Sequence, residues 1–76
     1  MLTAAEYAWQ ELLDIGREMR ENEPVSERHR IVRFATRSTC CRILAHSLGV
    51  MPSQVSLSAE VALRREQIRE HIEAQA

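Results

Sequence analysis

The stretch Arg42-Ile-Leu-Ala-His-Ser-Leu-Gly-Val-Met-Pro-Ser-Gln-Val-Ser56 decides how this chain folds. Apolar residues recur at helical spacing as far as Leu48. Gly49 then offers positive φ without a Cβ penalty, a common way to end a helix. Pro52 suits the first turn of a second helix, because its φ is preset and its missing N–H would have had no partner there. Ala45 is small enough for two helices to meet across a tight turn. Leu44, Leu48, Val50 and Val55 are expected to point from both helices into a shared core.

Working outward, the 76 residues suit one helical domain spanning 1–76. Hydrophobic content of 45%, two glycines, two prolines and almost no β-branched alternation point to an all-α fold. A chain this short buries only about 60% of its unfolded surface, so association with another chain would help it. Thr3 with Glu6 reads as a capping box, and Ala5, Ala8, Leu12, Ile15 and Met19 form the buried face of a first helix, widened by Trp9 and Leu13. That helix should stop near Glu21, before Asn22-Glu23-Pro24, and Ser26 should cap the next.

Residues 27 to 48 pose a conflict. Stepping roughly 100° per residue, the apolar set Ile31, Val32, Phe34 and Ala35 lies roughly 110° from Cys41, Leu44, Ala45 and Leu48. One straight helix would bury two faces, and would place Leu44 and Leu48 on the side of Arg30, Arg33 and Arg37. A break near Arg37 to Thr39, with Ser38 or Thr39 as cap, removes both difficulties. The expectation is therefore a four-helix helix-turn-helix domain, with the motif at about 38–60 and a long C-terminal helix from Pro52 to about residue 74.

The run Leu48-Gly-Val-Met-Pro-Ser-Gln-Val-Ser56 resembles the turn and recognition-helix start of the helix-turn-helix superfamily, which includes phage Cro and repressor proteins and KorA-type plasmid repressors. The resemblance is confined to about residues 38–58. It implies that Ser53, Gln54 and Ser56 face base edges while the preceding helix lies across the DNA backbone. Met51 stands where these proteins usually carry a Ser or Thr cap, and Ser58 where they usually carry a large aliphatic residue.

Charge is unevenly distributed. The net charge is −1, yet residues 1 to 27 carry seven acids against Arg17 and Arg20. Residues 28 to 57 hold Arg28, Arg30, Arg33, Arg37 and Arg42 with no acid at all. Such a block can hold DNA on a nearly neutral molecule, with Arg33, Arg37 and Arg42 as phosphate contacts and Gln54 suited to adenine. Equally, the arginines can form a solvated face paired with the acidic first helix.

On the last helix, Val55, Ala59, Ala62 and Leu63 line a side suited to the body of the domain. Leu57, Val61, Ile68 and Ile72 line another. That second stripe is either a dimer or partner interface, with two-fold pairing matching a palindromic site, or it is covered by the first helix.

Other chemistry finds little support. His29, His46 and His71 lack metal-ligand spacing, the adjacent Cys40 and Cys41 form no CxxC pattern, and no catalytic or phosphate-loop motif occurs. No metal, cofactor, small-molecule substrate or catalytic activity is expected. The lack of a signal peptide or apolar span points away from membranes, and Cys40 and Cys41, which cannot bridge to each other within a helix, suit a reducing cytoplasm. The reading is a small, dimeric, repressor-like regulator that binds double-stranded DNA. The alternative is a non-enzymatic helical module, such as a phage or mobile-element inhibitor or adaptor that caps a host protein.

Overall fold

The computed structural model describes residues 1–75 and is all-helical over them: α1 spans Ala4–Glu21, α2 Glu27–Leu48 and α3 Pro52–Gln75. The first two helices begin as their sequences require. Thr3 accepts from the Glu6 N–H at 3.1 Å and donates its hydroxyl to the Glu6 carboxylate, and Ser26 accepts from the His29 N–H at 3.1 Å. These contacts satisfy amides that a helix start leaves without partners.

The expected break at Arg37 to Thr39 does not occur, so the described residues form three helices and not four. No glycine or proline interrupts residues 27 to 48. The Thr36 and Thr39 hydroxyls bond back to the carbonyls of Val32 and Ala35, both at 2.9 Å, which is helix-interior behaviour rather than capping. The two-face conflict is resolved differently. Ile31, Val32 and Phe34 stay exposed, Phe34 at 68%, and α2 buries Arg33, Cys40, Cys41, Leu44 and Ala45.

Arg33, only 6% exposed, can lie on the core side because partners await it. Its guanidinium donates to Glu18 at 2.9 Å, to the Asn22 carbonyl at 3.1 Å and to His29 at 3.2 Å. A buried charge is tolerated when paired and hydrogen-bonded. This joint fastens the end of α1 to the start of α2.

Gly49 ends α2 in the left-handed region at φ 68° and ψ 35°, and the Val50 N–H returns to the Ala45 carbonyl at 3.1 Å. The chain reverses into α3, which runs beside α1 in the same direction. Gly16 meets Leu63, and Arg17 meets Glu66 through three hydrogen bonds of 2.8 to 3.2 Å. The core holds Ala8, Leu12, Cys40, Cys41, Leu44, Ala45, Val55 and Ala59, with Ala5, Trp9 and Leu13 at its edge. Met19, Leu48 and Val50, expected inside, are exposed. Leu48 and Val50 flank the turn itself and line an open cleft with Trp9 and Val55.

Two predictions follow from these joints. A Cβ on Gly16 would overlap the Cδ1 of Leu63. Gly16→Ala is therefore expected to lose about 1 kcal/mol, overpacking outweighing the gain in helix propensity. In a Leu63→Ala background the same change should stabilise by about 1 kcal/mol, as read from urea midpoints. Loss of the same size in both backgrounds would show that the close approach is unimportant.

The second prediction concerns acid. The Arg33 guanidinium, hydrogen-bonded to Glu18, holds that carboxyl below its ordinary value of 4.5. Arg17 does the same to Glu66. A carboxylate whose folded pKa is depressed contributes stability above its unfolded value and loses it as pH falls through the folded value. The urea midpoint should therefore fall more steeply from about pH 5 to about pH 3 in the parent than in Glu18→Gln/Glu66→Gln. Parallel slopes would remove both carboxylates from the account.

Candidate interaction surface

Two surfaces compete for a functional role. The first lies at the turn between α2 and α3, where a cleft of about 500 Å³ is lined by Arg37, Ser38, Cys41, Arg42, Pro52, Ser53 and Ser56. It gathers four of the candidate DNA-contact residues, Arg37, Arg42, Ser53 and Ser56. Arg42 is exposed and has no carboxylate partner among the described residues, and Ser53 is exposed beside it.

The remaining polar residues of this set are committed elsewhere. Arg33 is withdrawn into the joint with Glu18, away from this cleft, which corrects its expected place on an open phosphate-binding face. Arg37 donates to the Ser56 hydroxyl at 2.9 Å and faces Glu60 at 3.5 Å, so guanidinium and hydroxyl satisfy each other. Gln54 is exposed, but its side-chain oxygen accepts from the Met51 N–H at 2.8 Å. Lacking a Ser or Thr at Met51, the start of α3 uses Gln54 as the returning half of a capping box. Sequence spacing places Gln54 on the outer side. It does not reveal that the amide is already employed.

Cys41 sits at the base of the cleft, and both cysteines are buried free thiols. Burial pushes the Cys40 thiol up, which disfavours the thiolate. Among the described residues, no group of His, Cys, Asp or Glu is assembled around a metal position, and no helix is long and apolar enough to cross a membrane.

The second surface is the outer face of α3. Leu57, Val61, Ile68 and Ile72 are 42% to 61% exposed. The first helix does not cover them, because it packs on the opposite side of α3, where Leu63 and Glu66 meet Gly16 and Arg17. Helical stepping of about 100° per residue sets Arg64 and Arg65 on either side of the stripe midway along it. Both are exposed and form no ion pair among the described residues.

Three of the four acids of α3 face arginines of the other helices. Glu66 pairs with Arg17 at 2.8 Å, Glu70 lies 4.0 Å from Arg20, and Glu60 faces Arg37. Sequence reading found the apolar stripe and missed its arginines. The signal was present in the register, since Glu66 and Glu70 fall on the buried side of the wheel and Arg64 and Arg65 on the exposed side.

A second, apolar cleft of about 320 Å³ is lined by Trp9, Leu44, Leu48, Val50, Gln54, Val55 and Ser58. Trp9 forms part of its wall, half-buried against the core. No family model, no curated protein and no solved structure matches the chain.

Proposed function

We propose that the chain is a non-enzymatic helical interaction module that docks a partner protein along the outer face of α3. One observation carries this reading: four aliphatic side chains project from a single helix face that no other part of the chain covers among the described residues. The aliphatic residues recur at helical spacing over about 22 Å, as a helix-in-groove or helix-on-helix contact requires. An exposed apolar stripe of this kind is costly to a small chain unless something occupies it.

The second reading is a helix-turn-helix DNA-binding regulator, dimeric and repressor-like, acting through Arg42, Ser53 and Gln54. What favours it is the left-handed turn at Gly49, with Ala45 and Val55 both buried in the core behind it and Gln54 outside.

Two measurements separate these readings. Binding to random duplex DNA at about 50 and about 200 mM salt is expected to be weak and to change less than tenfold, because of Arg33, Arg37 and Arg42 only Arg42 has no carboxylate partner among the described residues. Tight binding that collapses with salt and is flattened by Arg42→Ala would overturn the docking reading in favour of DNA. In a selection from a displayed library of random helical peptides, the parent should enrich peptides that Ile68→Asp no longer binds and Arg42→Ala still does. Peptides indifferent to Ile68→Asp, or no enrichment, would overturn docking on α3.

A further inference from the structure

We infer that the occupant of the α3 face is an acidic amphipathic helix, held by carboxylates set against Arg64 and Arg65. The inference rests on the docking reading above and adds the chemistry of the partner. The four aliphatic residues are spaced four, seven and four residues apart. The seven-residue interval lacks one apolar position, and Arg64 and Arg65 stand in that gap. A helix laid along the stripe therefore passes between two guanidinium groups, one on each flank midway along the contact, where they are partly desolvated.

A second copy of this chain fits the apolar pattern but not the charge. The spacing reads the same in both directions, so antiparallel pairing would set Leu57 on Ile72 and Val61 on Ile68. It would also drive Arg64 and Arg65 of one copy against the same residues of the other, and parallel pairing in register does likewise. Like charges brought together in a partly dehydrated seam oppose association. The chain's own nearby acids offer no relief, since Glu60, Glu66 and Glu70 face Arg37, Arg17 and Arg20. A partner that carries Glu or Asp in the same gap removes the conflict and gains charge-assisted hydrogen bonds to the guanidinium forks. A single polar pairing inside an apolar seam also fixes register and orientation. An anionic lipid surface is the lesser match, because the face has no aromatic residue and its charges lie within the stripe's length, not beyond its ends.

The test uses the full chain and two synthetic helical peptides of about 20 residues. Each carries aliphatic residues at the four, seven, four spacing on an Ala/Gln background, one with two glutamates in the central gap and its twin with two lysines. At low salt, fluorescence anisotropy should show the glutamate peptide binding at least about tenfold more tightly, a difference that shrinks as salt is raised. Arg64→Glu/Arg65→Glu should reverse the order of the two peptides, and Ile68→Asp should weaken both. These positions are exposed, so each variant is expected to keep the parent's helical circular dichroism and melting temperature.

Equal binding of the twins, or failure of the charge swap to reverse them, overturns the acidic partner. If the designed pair fails while library-selected peptides still need Ile68, docking survives and the inferred chemistry falls. If both fail, both fall. A dimer by sedimentation that Ile68→Asp dissolves would assign the face to a second copy. Binding to vesicles rich in phosphatidylglycerol, abolished by the same variant and tighter than to the glutamate peptide, would assign it to lipid.

Discussion

A guanidinium closes the bundle where an aliphatic side chain would ordinarily stand. Arg33 lies on the core face of α2 and is held there by Glu18, the Asn22 carbonyl and His29. Because that face is charged, the first turns of α2 cannot bury Ile31 or Phe34 in the same place, and those residues are left outside. Because α2 need not break to turn an apolar face inward, it runs unbroken for 22 residues and delivers Gly49 to the far end of α1. The position of the α3 start is thus tied to one ion pair at the opposite end of the molecule.

The core that this joint closes is made largely of small residues. Ala8, Ala45 and Ala59 are among its buried members, and Gly16 lets Leu63 lie against α1. Small side chains let the helices approach closely, but they bury little apolar area per residue. Interhelical ion pairs supply alignment that the core lacks. Arg17 grips Glu66 through paired hydrogen bonds, and bidentate geometry is more directional than an ordinary surface pair.

Local signals in the sequence were legible where the responsible contact is local. Thr3, Ser26 and Gly49 act within four residues of themselves, and all three mark helix ends as their chemistry dictates. The inward face of α3, Val55 and Ala59, was equally plain from spacing. The absent break in α2 was not, because periodicity counts apolar residues as inward and arginines as outward. Glu18 lies 15 residues from Arg33 in sequence, and no window along α2 contains it. Gln54 escaped for a related reason: its position on the outer side is periodic, whereas its bond to the Met51 N–H depends on what Met51 cannot do for itself.

The candidate surface shows the same division. Leu57, Val61, Ile68 and Ile72 announce themselves by spacing, but an uncovered stripe alone does not say what it meets. Its chemical character comes from the inner side of the same helix. Each acid that α3 turns inward to align itself on an arginine of α1 or α2 is an acid removed from the outer face. Packing and recognition are therefore set by one register: the pairings that hold α3 in place also leave Arg64 and Arg65 without internal partners. Moving those acids outward would loosen the bundle and neutralise the stripe together. Selection on either property would then constrain the other.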